Sequence, residues 1–449
     1  MNRKIIVIFG ILLLGIIAGI LPGAETDLLL KNGRIITVSD SVMENSDILI
    51  HNGKIAAIGR NLAAGPGFRT IDLHGNWVMP GIIDSHSHIA LEGEVNEMGE
   101  LISAEVDVRD IINPEDINIY YALSGGVTTI HTMHGSANPI DGRGVVLKLR
   151  WGQSAREMVF NGAPLTSKWA LGENPKRSNF QSPGPPHFPK TRMGVEAAIR
   201  LEFEKAKNYL REWQEYEKKL KTKNGFLPLP PRRDLRLEAV ADILNGTYWV
   251  RCHAYQAEEM LSIMRLCREY GVKLVSFEHG LEGYRIAPEL VQYGVAVTTF
   301  ADFWGYKWEA FHTMPHAAAL MAQGGVLVAL NSDDGERMRH LFTEAAKTIR
   351  FGGLSEAEAL KTITINAAKI LGIERWVGTI EKGKDADLAV FNRHPFDPYT
   401  VCQMTLVDGK VCFDRSQYVE EQKQKQEKKP EPEATPKKEK ITAVREVRS

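Results

Sequence analysis

The sequence predicts an α/β fold built on parallel strands, and three observations carry that prediction. Short apolar runs, β-branched or aromatic, recur along the middle of the chain. They are Tyr248-Trp249-Val250-Arg251-Cys252-His253, Lys273-Leu274-Val275-Ser276-Phe277-Glu278-His279-Gly280 and Val326-Leu327-Val328-Ala329-Leu330-Asn331-Ser332-Asp333-Asp334-Gly335. Helical stretches such as Ala257–Tyr270 and residues 288–293 lie between them. Strands alternating with helices read as a parallel sheet. Each run also closes on a side chain able to hold a metal ion. In a closed barrel of such strands the C-terminal ends open on one face, so ligands far apart in sequence would converge there.

The first strand carries the sharpest signal. Val78-Met79-Pro80-Gly81-Ile82-Ile83-Asp84-Ser85-His86-Ser87-His88 is an apolar run ending in two histidines spaced i, i+2. That spacing places both imidazoles on one side of a strand. Neutral imidazole suits zinc and its neighbours. The chain holds 13 His in 449 residues, so chance alone supplies roughly 0.4 such pairs, and the motif needs context.

The context is an ordered combination. Pro80-Gly81-Ile82-Ile83-Asp84-Ser85-His86-Ser87-His88 is followed by His253, His279 and Asp333. Asn366-Ala367-Ala368-Lys369, Gly378-Thr379-Ile380-Glu381-Lys382-Gly383-Lys384-Asp385-Ala386-Asp387-Leu388 and Val407-Asp408-Gly409-Lys410-Val411 come after them. On these residues the chain resembles the amidohydrolase superfamily, in particular its imidazolonepropionase-like branch, over about residues 27–415. The resemblance implies a metal-dependent (β/α)8 TIM barrel. It also implies a small composite β-sandwich domain drawn from both chain ends. The barrel would span 81–372, and the β-sandwich would combine 25–80 with 373–416.

Taken in order, the chain opens on Arg3-Lys4, an uncharged apolar run over residues 5–21, and Pro22-Gly23-Ala24-Glu25. This reads as a signal peptide or membrane anchor over 1–24. The run is slightly short of the ~20 residues of a span. Leu21 or Pro22 falls where a cleavage site prefers a small residue, so an uncleaved anchor stays open. Either way the catalytic part is expected outside the cytoplasm: periplasmic, secreted or held at the outer face of the membrane.

Residues 27–58 read as strands with turns at Asn32-Gly33 and Asn52-Gly53, since Asn-Gly between apolar runs signals a hairpin. Residues 386–391 and 404–413 read as strands too, with a turn at Asp408-Gly409. Barrel strands are expected over 127–133, 145–151 and 167–172. The span 174–236 carries Ser182-Pro183-Gly184-Pro185-Pro186 and Leu227-Pro228-Leu229-Pro230-Pro231 around a charged amphipathic helix over 194–223. Long insertions in compact domains are usually functional. We read it as a lid or substrate-shaping element over the barrel mouth, with a surface excursion or an oligomer contact as the alternatives. Residues 417–449 form a charged tail. From Tyr418 onward it is almost devoid of apolar residues and should be disordered.

A hydrophobic fraction of 43% and 39 Gly fit a globular enzyme. A net charge of −1 gives no reason to expect nucleic acid. Cys252, Cys267, Cys402 and Cys412 show no CxxC spacing, and no disulfide framework is expected.

The resemblance implies His86, His88, His253, His279 and Asp333 as ligands of one or two divalent metal ions, with zinc the expected ion. It also implies Asp333 as general base and acid. Strand alternation turns Cys252 and Glu278 toward the helix layer, and Asp334 away from the barrel axis. A bridging ligand would be Lys168 or Glu173, and Glu173 is favoured because a plain carboxylate needs no modification. His131 and His134 close the second strand; of the two, His134 is assigned to substrate, with a hydrogen-bonded polar rim as the alternative.

The reading is an exported metal-dependent amidohydrolase. It would cleave a C–N bond of an amide, cyclic amide or dipeptide-like small molecule. The alternatives are a heterocycle deaminase of the same superfamily, or a non-catalytic exported binding protein on the same fold. The intact ligand set argues against the last. Homo-oligomerisation stays open.

Overall fold

The computed structural model describes residues 27–176, 188–222 and 227–427. The expected signal or anchor segment, the first Pro-rich stretch and the end of the tail lie outside the described residues. Within them are sixteen strands. In chain order they are β1 (Leu28–Ile36), β2 (Val42–His51), β3 (Lys54–Gly59), β4 (Arg69–Asp72), β5 (Trp77–Pro80), β6 (Ile82–Ser87), β7 (Val127–Thr132) and β8 (Ile140–Lys148). There follow β9 (Thr166–Ala170), β10 (Trp249–Ala254), β11 (Leu274–His279), β12 (Ala296–Thr299), β13 (Val328–Leu330), β14 (Leu388–Phe391), β15 (Cys402–Val407) and β16 (Lys410–Asp414).

Both chain ends build one sheet, in the order β16-β15-β14-β5-β1-β2-β3, with β4 beside β1. β14 pairs antiparallel with β5, Leu388 opposite Pro80. The strand that enters the barrel is thus zipped to the strand that follows it. Leu30, Ile35, Ile48, Ile50, Val78, Leu388 and Leu406 bury the inner face of this sheet completely. Asn52-Gly53 and Asp408-Gly409 are left-handed turns between adjacent strands, as expected. Asn32-Gly33 is not a turn. It sits inside β1 as a bulge, with a register shift on either side of Gly33 and Asn32 at φ 59. A bulge needs the same left-handed tolerance as a turn, and a Cβ on Gly33 would meet Leu73 at 2.6 Å.

The second sheet runs β6 to β13 in chain order, as a TIM barrel does. One strand departs from the expected parallel pattern. β8 is antiparallel to both β7 and β9, while the other neighbours are parallel. Only residues 133–139 join β7 to β8. A parallel crossover takes roughly a dozen residues or more, so the chain returns directly. β8 therefore begins at the mouth and ends at the barrel's foot.

The described helix of the insertion lies on the barrel's flank and not over its mouth. This helix, Arg192–Lys221, buries Val195, Ala198, Ile199, Phe203 and Ala206. These recur at i, i+3 and i+4 and form one stripe. That stripe packs on the barrel's flank: Phe203 meets Trp169 of β9 at 5.6 Å and Tyr270 of the helix Ala257–Tyr270 at 4.9 Å. An amphipathic helix buries its apolar face where apolar surface is offered, and the outer side of β9 offers it. The described start of the tail also differs from expectation. A helix runs over Arg415–Glu427, anchored by Tyr418 against Tyr120 and Phe413. All four cysteines are free.

Candidate metal centre

β6 delivers His86 and His88 to the mouth. The Nδ1–H of His86 donates to Glu278 Oε2 at 3.0 Å, and that of His88 to the Met133 carbonyl at 2.9 Å. With a proton on each Nδ1, the Nε2 atoms are the ones turned toward Asp333. Those atoms stand 3.4 Å apart. Asp333 Oδ1 lies 3.4 Å from one and 3.1 Å from the other. Burial, aided by Lys168, drops the His86 pKa to about 4, so its ring is neutral near pH 7. Three metal-capable atoms therefore face one another. Two ligand atoms bound about 2.1 Å from a common tetrahedral centre stand about 3.4 Å apart. The donor set and its spacing fit one divalent cation. His86, His88 and Asp333 are the group that the fold brings together for it.

His279 adjoins this group, its Nε2 3.8 Å from Asp333 Oδ2 and its ring 4.7 Å from that of His86. His253 stacks edge-on to His279 at 4.8 Å. Ser136 Oγ holds His253 Nδ1 at 3.1 Å, while His253 Nε2 is buried without a partner. Burial pushes both imidazoles well below their ordinary range, leaving neutral rings. Burial alone would raise the Asp333 carboxyl, but the surrounding imidazoles outweigh it and hold it well below the usual carboxylate range.

Strand alternation misplaces Glu278. The expectation sent its side chain to the helix layer, yet it lies inside the barrel, wholly buried. It binds His86, Ser276 Oγ at 2.7 Å, Thr298 Oγ1 at 2.6 Å and Arg251 at 3.4 Å. His279 reaches the mouth only because its backbone turns left-handed, at φ 73. That turn breaks the alternation at the strand's last residue. A signal was present: Arg251 and Ser276 pair in register, as do His253 and Glu278, so one face of both strands is polar. Asp84 was also missed. It accepts from the backbone N–H groups of His86 and Ser332 at 3.2 Å and from the Ser332 hydroxyl, tying β6 to the loop that carries Asp333.

Lys168, not Glu173, takes the position beside the ligands. Its Nζ is fully buried and lies 3.5 Å from His86 Nε2. Burial lowers its pKa. Glu173 sits past the strand's end, where its backbone N–H donates to Glu309 at 2.7 Å. His134, the residue assigned to substrate, is buried. Its Nε2 accepts from the Glu97 N–H at 2.8 Å, and its Nδ1 pairs with buried Asp141 at 3.2 Å, so both nitrogens are used. His131 is enclosed in the barrel against Thr166.

Comparison with known proteins agrees with this architecture. A family model described as the amidohydrolase family matches residues 309–430. A crystal structure of an amidohydrolase from Thermotoga maritima MSB8 is 35% identical at a TM-score of 0.77, covering 86% of this chain and 100% of that one. An imidazolonepropionase of Thermoplasma acidophilum is 26% identical over 406 residues, 84% of this chain and 91% of the relative. Amidohydrolase tasK of Hapsidospora irregularis is 27% identical over 399 residues; the match takes in 82% of this chain but only 40% of that relative's length.

Proposed function

We propose a reaction from one premise: this chain belongs to the amidohydrolase family. It is a hydrolase of C–N bonds other than peptide bonds, acting on a small molecule. The finer reading is hydrolysis of an amide, cyclic amide or dipeptide-like substrate with the aid of a divalent metal, zinc being the expected ion. The observation that carries it is the convergence of His86 Nε2, His88 Nε2 and Asp333 Oδ1 as three metal-capable atoms.

His86, His88 and Asp333 would hold the ion, with His253, His279 and a carboxylated Lys168 available to a second. When bound, the ion polarises the scissile carbonyl and acidifies the attacking water. Glu278 and the Met133 carbonyl keep the protons of His86 and His88 on Nδ1, away from the ion. Asp333, held ionised, takes a proton from the attacking water and returns it to the leaving nitrogen. Asp84 and Ser332 fix the loop on which Asp333 rides.

The test is metal analysis of the wild type and the His86→Ala/His88→Ala variant, with a panel of N-acyl amino acids, dipeptides and cyclic imides. Metal bound by the wild type and lost from the variant, with cleavage of a panel member, supports the reading. Unchanged metal content sinks the ligand assignment. Ammonia as the sole cleavage product would favour a deaminase. Export is also proposed, on the Arg3-Lys4 and apolar N-terminal pattern. Cell fractionation checks it, and wholly cytoplasmic protein would refute it.

A further inference from the structure

An aromatic ladder climbs from the metal centre to a cation without a counter-ion. Phe300, just past β12, stacks on His279 at 4.9 Å and 18°. Phe303 meets Phe300 at 4.8 Å, and Tyr306 stacks on Phe303 at 4.4 Å. Arg337 lies four residues beyond Asp333. Its guanidinium sits 4.0 Å from the Phe303 ring centroid and 5.6 Å from that of Phe300.

Other basic side chains nearby are occupied. Arg339 pairs with Glu336, and Lys307 donates to Asn174 Oδ1 at 3.1 Å. Among the described residues no carboxylate pairs with Arg337, and its Nη1 is buried with no acceptor. Leaving a charged N–H buried and unmet is costly, and a guanidinium fork fits a carboxylate. Arg337 and His279 also meet one ring, Phe300, at 5.6 Å and 4.9 Å.

We propose that Arg337 is a specificity residue: it receives a carboxylate of the substrate, beside Phe303, so the enzyme selects acids over their neutral counterparts. This rests on the hydrolytic reading above and narrows its substrate class. The ring of Phe303 holds the guanidinium plane in place, and Phe300 and His279 connect that anchor point to the reacting centre two aromatic steps away.

N-acetylphenylalanine and N-acetylphenylalaninamide share one acetamide bond and differ in charge, so acetate release compares them directly. The wild type should favour the acid by about 10- to 100-fold in kcat/KM, the worth of one charged hydrogen-bond pair. Arg337→Gln should remove that preference through KM, with kcat for the acid within about threefold. Arg337→Lys should keep part of it. A preference that survives in Arg337→Gln, or its absence in the wild type, overturns the proposal.

Cleavage of neither compound would count against the amide reading, and the anchor is then judged by binding alone. Titrated against the metal-loaded full chain, 3-phenylpropanoate should bind the wild type at least about tenfold tighter than Arg337→Gln. 3-Phenylpropanamide should not distinguish them. Equal affinity of the acid for both proteins overturns the assignment of Arg337.

Discussion

At the mouth of the barrel, two imidazole nitrogens and a carboxylate oxygen face one another within 3.4 Å. At its foot, Lys148, Lys54 and Arg150 face three carboxylates. Lys148, at the end of β8 and 1% exposed, lies 2.7 Å from Asp385 and 3.2 Å from Asp387, and also binds Asp408. Lys148 pairs with Thr129 near the start of β7, so it stands at the end of the barrel opposite the histidines. The foot closes its own electrostatics and joins the β-domain to the barrel. The mouth gathers three metal-capable atoms, with Lys168 Nζ 3.5 Å from one of them. Buried charge that is satisfied internally is structural, whereas metal-capable side chains gathered around one point suit a cation. β8 serves this division because it runs backwards: reversal carries its last residue to the β-domain.

The largest effect expected is at the mouth. Asp333→Asn should lower kcat by about 10²- to 10⁴-fold, with the thermal unfolding midpoint near wild type. The amide keeps the shape but cannot accept the proton. Near-wild-type turnover would move the role of base to another group, Asp334 first.

Next comes the foot. Lys148→Met should cost about 3–5 kcal/mol of stability, because it strands buried carboxylates. Urea unfolding measures this, and metal content per folded molecule should not change. Loss of metal in step with stability would show that the two ends are not separable.

A smaller effect belongs to the shell around the ligands. Glu278→Gln should weaken metal affinity by about 10- to 100-fold, since the amide no longer fixes the His86 tautomer. Competition with a chelator reads it. Unaltered affinity would confine Glu278 to the Arg251 ion pair.

The smallest is a pH effect at the foot. Burial raises Asp387; Lys148 opposes, Asp408 and Asp385 add, and the net is a pKa of about 6 against an ordinary 3.8. Between those values the folded protein holds a proton that the unfolded chain has released. Stability from this group is therefore complete below 3.8 and falls as pH rises through about 6. Asp387→Asn should flatten that slope by at most about 1.4 kcal/mol per pH unit. Unfolding curves across pH 4–6.5 that superimpose for the two proteins would remove Asp387 from the account.

Much of this division was legible in the residues. The His-x-His pair, the two later histidines and Asp333 all lie where the run ends predicted, because apolar β-branched runs and their polar termini are local patterns. The acids of the C-terminal motif, Asp385, Asp387 and Asp408, were visible as a motif, but their partner was not. Lys148 is 237 residues from Asp385, and no local pattern links them.

Local chemistry along the chain set the alternation of strands and helices, the two left-handed turns at Asn52-Gly53 and Asp408-Gly409, and the metal-capable side chain at each strand end. Tertiary structure alone decided which way β8 runs, since loop length and sheet closure act together. It also decided that the helix Arg192–Lys221 covers the flank, because the apolar surface of β9 exists only once the barrel is formed. The approach of Lys168 to His86 and the entry of Glu278 into the barrel join residues 82 and 192 positions apart. Such positions follow from packing across many strands, and neighbours in sequence carry no record of them.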